Sequence, residues 1–259
     1  MEAQFEKLTF AKRLKSMLKV DFKRMFTMPL IYIMAGVSLA IPVLILVMTT
    51  TMGGAAEGEQ AMDMFTNVWQ SIGSVSGNAM AMDLTSMCNI NLLYFLVAVL
   101  VCIFVADDFK SGYAKNLFTV RAKKVDYVFS KSLVGFTGAT IMFAVYFIGA
   151  MIGGAIAGLP FDMTGFGAGG VVACMLSKIF MTAIFVSISL LLGAVAKQKL
   201  WLSIIGSFAA GMLLFTMIPM ISPLNSTVIN VVMCFAGGAL FAVGLGAASN
   251  VILNKTSLV

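Results

Sequence analysis

Histidine is missing from this sequence, and charged side chains make up only 11% of it, where soluble domains carry about 25%. The absence of histidine excludes a serine–histidine dyad and an HExxH zinc site. The chain also has no GxxxxGK[ST] loop to hold nucleotide phosphates, and its cysteines form no CxxC pair for a metal. We therefore expect a chain that is not an enzyme and that binds no metal or cofactor itself.

Long apolar runs are what the sequence does contain, and hydrophobic residues make up 60% of it. Each of six runs has at least the roughly 20 residues that a helix needs to cross about 30 Å of hydrocarbon. Transmembrane strands would be about 10 residues long with alternating polarity. We predict an all-α integral membrane protein with six transmembrane helices. The runs cover residues 29–52, 84–106, 132–159, 165–196, 200–221 and 228–252.

Lysine and arginine gather on one side of this predicted topology. Residues 1–29 and 107–131 hold most of them, whereas the loops 53–83, 160–164 and 222–227 hold none and carry acids instead. Because cytoplasmic loops collect lysine and arginine, we predict that both termini are cytoplasmic. The net charge of +6 then reflects topology and not nucleic-acid binding. The run 29–52 is too long for the h-region of a signal peptide.

The first cytoplasmic segment, residues 8–28, has the pattern of an amphipathic helix. Basic residues recur at steps of three and four along one face, opposite apolar ones, and Pro29 follows as a stop signal. Such a helix lies in the headgroup layer as an anchor, or it acts as a connector helix that also touches a cytoplasmic subunit. The residues of this face and its apolar counterpart include Lys12, Lys15, Leu18, Lys19, Phe22 and Lys23.

The second cytoplasmic segment follows the second run. Gly112 predicts a break after the acidic pair Asp107 and Asp108, and residues 113–120 then predict a short helix with Leu117 and Phe118 as apolar knobs among basic residues. This mixed character favours docking to a protein surface. A solvated basic loop is the alternative.

At this point the chain resembles the permease subunits of type-2 ABC exporters. The resemblance covers the overall layout, and in recognisable residues it covers the loop after the second run. It implies a coupling helix that sits in a cleft of a separate ATPase subunit, with the connector helix beside it and residues 115–124 as the contact surface. The matching residues are Phe109, Ser111, Gly112, Lys115, Asn116, Leu117, Arg121, Ser130 and Lys131, and the contact surface would include Phe118 and Lys124.

The resemblance also implies partners and an organisation. A single permease domain would comprise a connector helix (1–28), the membrane region (29–252) and a cytoplasmic tail (253–259), in a bacterial plasma membrane. Its partners would be a dimer of ABC ATPase subunits, which carry the ATP and Mg²⁺, and a second permease chain, identical or homologous. The cargo would be an amphipathic or hydrophobic peptide, toxin, lipid-like molecule or drug. The alternatives are a membrane scaffold or assembly protein, and a secondary carrier or scramblase without an ATPase partner.

A few residues inside or beside the apolar runs are candidates for a pathway or gate. Lys178 interrupts the fourth run, and we interpret it as a lysine that snorkels to the membrane interface, with a pathway role as the alternative. Asn89 and Asn91 are expected to cap a helix or to hydrogen-bond between helices. Trp69 belongs to a helical pattern, Met62, Phe65, Trp69 and Ile72, which predicts a helix on the outer membrane face or an extension of the first span.

Overall fold

The computed structural model describes residues 9–53, 65–74, 88–119, 123–197, 199–215 and 217–255. Over these residues the chain forms α-helices and two short 3₁₀ turns, and it forms no strand. The predicted all-α class is therefore confirmed for the part of the chain that is described. In chain order the helices are α1 (Phe10–Thr27), α2 (Pro29–Gly53), α3 (Leu93–Lys110), α4 (Tyr113–Thr119), α5 (Lys124–Ala157), α6 (Ala168–Ala196), α7 (Leu200–Phe215), α8 (Ile218–Ile221) and α9 (Val228–Lys255).

Five helices in the described ranges are long and apolar enough to cross a membrane, where the sequence predicted six. They are α2, α3 with the turn before it, α5, α6 and α9. Helix α7 is apolar but has only 16 residues, about 24 Å at 1.5 Å per residue, which is short of a full hydrocarbon layer. The third predicted boundary was also wrong, because α5 begins at Lys124 and not near residue 132.

Small residues allow the helices to pack closely. This is expected in lipid, where the hydrophobic effect does not drive helices together and van der Waals packing does. The closest case is α2 against α5. A Cβ atom at Gly149 would lie 2.5 Å from the carbonyl oxygen of Leu39, and one at Gly153 would lie 2.8 Å from Cα of Val43. Helix α6 packs most extensively along α9. These contacts fix the bundle in which the polar groups below are buried.

One end of the bundle collects α1, α4, the first turns of α5 and the last turn of α9, and we call it the basic side. Helix α1 ends at Thr27, Met28 is extended with φ −75° and ψ 133°, and Pro29 begins α2. The predicted stop at Pro29 is thus confirmed. Proline at the first position of a helix is favourable because its missing N–H would have no partner there.

The opposite end is covered by a 3₁₀ turn, Val68–Ser71, and by the short helix α8. The helix predicted from the spacing of Phe65, Trp69 and Ile72 is wrong over the described residues, since residues 65–67 are not helical; Met62 lies outside them. All three side chains are buried within the protein. Their spacing reflects burial against α5, α6 and the chain after α8, and not a helix on a membrane surface.

Candidate functional site

The basic side contains a buried group of charges centred on Lys131, two turns into α5. Its side chain is 0% exposed, and Nζ lies 2.9 Å from Oδ1 of Asp21 and 2.8 Å from Oδ2 of Asp108. Both carboxylates are also 0% exposed. Asp21 belongs to α1 and Asp108 to the last turn of α3. A buried charge is stable only where nearby partners compensate for its lost hydration. These ion pairs therefore hold α1, α3 and α5 together at this point.

Arg24 of α1 extends the group. Its Nη1 lies 2.5 Å from Oδ1 of Asp108, and its Nη2 lies 3.0 Å from Oδ2 of Asp107. The hydroxyl of Tyr127 donates to Asp108 over 2.8 Å, and the hydroxyl of Ser130 donates to Asp21 over 2.6 Å. Every carboxylate oxygen of the two buried acids therefore has a partner. We call Asp21, Arg24, Asp107, Asp108 and Lys131 the ion cluster.

Two aromatic rings complete the enclosure. The ammonium of Lys131 lies 3.9 Å from the ring centroid of Phe104, and the guanidinium carbon of Arg24 lies 4.1 Å from that of Tyr113. Both distances are well inside the roughly 6 Å range of cation–π attraction. Because Tyr113 is the first residue of α4, the short helix is attached to the cluster at its starting residue. Four helices, α1, α3, α4 and α5, thus meet at one site.

The charge states of two cluster neighbours follow from their surroundings. Burial, together with the nearby carboxylates of Asp21 and Asp108, raises the pKa of Tyr113 to about 12, against an opposing effect of Arg24. Burial by itself lowers the pKa of Arg24, but the adjacent acids, above all Asp108, raise it by more, so that it ends above its usual value. At physiological pH the phenol is neutral and the guanidinium is charged.

A second set of contacts ties the same elements together at the start of α5. Nε of Arg13 lies 2.8 Å from Oδ2 of Asp126, which connects the first turn of α1 to the first turn of α5. Nζ of Lys124 donates to the carbonyl oxygen of Leu253 over 2.5 Å, which connects α5 to the end of α9. The amphipathic helix is therefore fastened to the bundle at both ends.

The short helix predicted for residues 113–120 is present as α4, Tyr113–Thr119. Gly112 adopts φ 73°, a left-handed conformation that favours glycine, so the break predicted before α4 is confirmed. Lys115 and Asn116 are exposed. They form the outward face of the helix.

The apolar residues of α4 are placed differently. Leu117 and Phe118 are half-buried and pack against the protein's own core, with the ring of Phe118 5.3 Å from that of Tyr127. They are less available as knobs for a partner than the sequence suggested. Lys124 opens α5 and reaches α9, whereas Arg121 lies outside the described residues.

The connector residues lie on α1 as predicted, with Lys12, Lys15, Lys19 and Lys23 exposed. Leu18 and Phe22 are half-buried against a small cluster formed around Met25, Phe104 and Val134. The basic face is therefore free, while the apolar face is occupied by the protein itself.

Lys178 is not a snorkelling lysine, and that interpretation is wrong. Its side chain is buried, with the residue 1% exposed, and Nζ donates to Oδ1 of Asn91 over 2.7 Å. Lys178 is the eleventh residue of α6, about three turns after the first residue of the helix. The protein packs around it on all sides. Among the described residues no carboxylate lies within 4.0 Å of its ammonium group.

The surroundings of Lys178 are rich in hydrogen-bond donors. Asn89 accepts from the backbone N–H of Asn91 over 2.9 Å, which confirms its predicted capping role, and Asn91 bonds between helices. The hydroxyl of Tyr94 donates to the carbonyl oxygen of Lys178 over 3.0 Å. The amide nitrogen of Asn91 and the hydroxyl of Ser177 are buried without a hydrogen-bond partner within the described part of the chain.

Trp69 lies one layer further toward the end of the bundle opposite the basic side. Its ring lies 6.4 Å from that of Phe147 and 6.2 Å from that of Phe161. It shares a buried cluster with Cys174, one helical turn before Lys178 on α6. Trp69 therefore belongs to the apolar cluster that lies one turn before Lys178 on α6.

Asp21 is the functional residue that the sequence reasoning missed, and with it the ion cluster as a unit. A signal was present, since Met17, Asp21 and Met25 follow one another at four-residue steps and all three are buried. A carboxylate in the apolar stripe of an amphipathic helix implies a buried cation opposite it. The identity of that cation was not readable, because Lys131 is separated from Asp21 by 110 residues.

No protein-family model, curated protein or solved structure matches the chain. In the described ranges no group of three or more histidine, cysteine or acidic residues could hold a metal ion. The four cysteines are free, and three of them are buried.

Proposed function

We propose that this chain is the membrane subunit of an ATP-driven exporter, coupled to a separate ATPase through α1 and α4. The observation that carries the proposal is the ion cluster, which attaches both surface helices to two membrane-crossing helices. A displacement of α1 or α4 by a partner would be passed to α3 and α5 through Asp108 and Lys131. The basic side would face the cytoplasm, where the ATPase and its ATP and Mg²⁺ are found.

The surface of α4 supports docking of a partner. Lys115 and Asn116 are exposed while Leu117 and Phe118 hold the helix onto the bundle. A short helix that packs on the bundle with one face and exposes a polar face can pass a displacement from a partner to the bundle and stay attached to it. Residues 109–131 would form the coupling region, with the exposed lysines of α1 beside it.

The membrane part of the proposal keeps six spans and two permease chains. Helix α7 would cross together with α8 as a sixth, shorter passage. The pathway would form between two copies of the chain, or between this chain and a homologue. Apolar helices whose described acids, Asp107, Asp108 and Asp126, lie in terminal turns at the basic side fit an amphipathic or hydrophobic cargo better than a metal ion.

A secondary carrier remains a second candidate, and Lys178 is the observation that favours it. Intramembrane ionisable residues commonly mark substrate or ion pathways. A carrier would move its substrate in liposomes that contain this chain alone. An exporter subunit would not, and a scaffold would copurify with a protein that hydrolyses no nucleotide.

The deciding experiment is purification of the tagged chain from its native membrane, followed by identification of the bound subunit and measurement of ATP hydrolysis. We expect a stoichiometric subunit with a nucleotide-binding motif. Lys115→Glu should reduce its retention about tenfold by reversing a charge on the exposed face of α4. Lys199→Glu reverses an exposed charge outside α1 and α4 and should leave retention unchanged. Recovery of no nucleotide-hydrolysing subunit, or equal retention by both variants, would refute the proposal.

A further inference from the structure

A groove runs along the membrane-embedded surface between α5, α6 and α9. It encloses about 490 Å³ and is lined mainly by apolar side chains. We call it the α5–α6–α9 groove. Its walls and floor include Val125, Phe129, Phe136, Phe180, Phe235 and Ala242.

The groove is longer than one leaflet of hydrocarbon is thick, and it opens toward the basic side. On α9 it extends from Phe235 to Asn250, and fifteen residues of helix span about 22 Å. One leaflet of hydrocarbon is about 15 Å thick, half of the full core. The groove opens toward the basic side, where Val125 lies in the first turn of α5 and Asn250 lies near the end of α9.

The groove has one polar lining residue at that same end, Asn250. Ser132 lies near the middle of the groove, and Ser187 is already engaged, since its hydroxyl donates to the carbonyl oxygen of Ala183 over 2.6 Å. An occupant that fits this lining is apolar along most of its length and polar at the end nearest the basic side.

Cations border the polar end. Lys123 and Lys124 immediately precede Val125, and Lys255 follows Asn250 by five residues; Lys123 and Lys255 are exposed. The one described acid in this part of α5, Asp126, is already paired with Arg13. Among the described residues the mouth therefore carries a net positive charge, which attracts an anionic lipid headgroup.

The charge at the mouth distinguishes between occupants. A headgroup phosphate is attracted to the exposed Lys123 and Lys255, whereas α9 of a second copy would bring another Lys255 and no acid among its described residues.

We propose that the α5–α6–α9 groove binds one acyl chain of an anionic phospholipid, with the phosphate-bearing headgroup held between Lys123 and Lys255. The proposal does not depend on an ATPase partner. It assigns these lysines a role in lipid binding, separate from the basic surface of α1 and α4.

Native mass spectrometry of the detergent-solubilised chain, titrated with phosphatidylglycerol or with phosphatidylcholine of the same acyl chains, tests the proposal. We expect phosphatidylglycerol to bind about tenfold more tightly, since two lysines face its charge. Lys123→Glu combined with Lys255→Glu should abolish that preference. Lys199→Glu, which reverses an exposed charge outside α5, α9 and the lining of the groove, should retain it.

The apolar part has its own test. Ala242→Trp places an indole in the groove and should reduce the binding of both lipids at least tenfold, whereas Ala236→Trp, an exposed position of the same helix outside the groove, should not. Elution volume and helical circular dichroism verify that both variants fold. Equal affinity for the two lipids in the parent chain, or unchanged binding by Ala242→Trp, would overturn the proposal. So would conversion of a dimer to a monomer by Ala242→Trp with lipid binding intact, because the groove would then be an interface between copies.

Discussion

Replacing Lys131 by methionine removes the central cation of the ion cluster while keeping a side chain of similar length. The buried carboxylate of Asp21 would then have only the hydroxyl of Ser130 as a partner. Asp108 would keep Arg24 and Tyr127. Breaking a buried ion pair by removing one partner costs about 3–5 kcal/mol, because the remaining charge stays buried without compensation.

The expected loss is large enough to measure in detergent. For chains of about this size, 1 kcal/mol shifts the melting temperature by roughly 2–4 °C, so Lys131→Met should melt roughly 10 °C below the parent. Thermal unfolding followed by size-exclusion chromatography of the fluorescently tagged chain gives the shift. Lys19→Met removes an exposed lysine of α1 and should change the melting temperature by no more than about 2 °C, as surface substitutions usually do.

A second substitution shows whether the loss comes from the stranded carboxylate. In the Lys131→Met background, Asp21→Asn removes the uncompensated charge and should recover at least 1 kcal/mol, as residues in one charge network commonly couple by that much. A double variant that is less stable than the sum of the single ones would contradict this reasoning. A melting temperature of Lys131→Met within about 2 °C of the parent would refute the reasoning as a whole.

Other expectations concern separate parts of the molecule. Asn91→Leu should destabilise the chain by about 1–3 kcal/mol because it strands the buried ammonium of Lys178, and adding Lys178→Met should restore the melting temperature. Gly153→Val should lower the melting temperature by pushing α5 from α2, at a cost of about 1–3 kcal/mol, whereas Gly237→Val, where nothing lies within 4 Å of an added Cβ, should cost less. The folded chain raises the pKa of Tyr113 to about 12 from 10.0, so stability should fall as the pH rises from about 10 to 12. Tyr113→Phe should show a smaller fall in melting temperature over that window.

Local rules predicted the surface helices well. The four-residue steps of lysine and Pro29 gave α1 and its end, and Gly112 gave the start of α4. These features depend on backbone preferences and amphipathic periodicity, which a sequence carries directly. The same rules placed the start of the third apolar run later than the start of α5, because Lys124, Asp126 and Lys131 lower the hydropathy of the first two turns of the helix.

The pairing of the buried polar side chains could not be predicted by such rules, because their partners are distant in sequence. Lys178 and Asn91 are 87 residues apart, and Arg24 and Asp108 are 84 apart. A hydropathy pattern shows that a lysine interrupts an apolar run but not which neighbour meets it. Tertiary packing decides between an ammonium at the membrane interface and one enclosed by the protein.

The ion cluster is better explained by positioning than by stability. Buried ion pairs are often no more stabilising than apolar side chains of the same volume, although removing one partner is costly. Their best-attested use is to fix the register of one helix against another. Asp21 lies between Met17 and Met25 in an otherwise apolar stripe, and apolar contacts alone would tolerate a shift of α1 by one turn. Such a shift, about 5.4 Å, would separate Asp21 from Lys131 and bury it alone. The cluster therefore holds α1 in one position, and that position keeps its lysine face exposed beside α4.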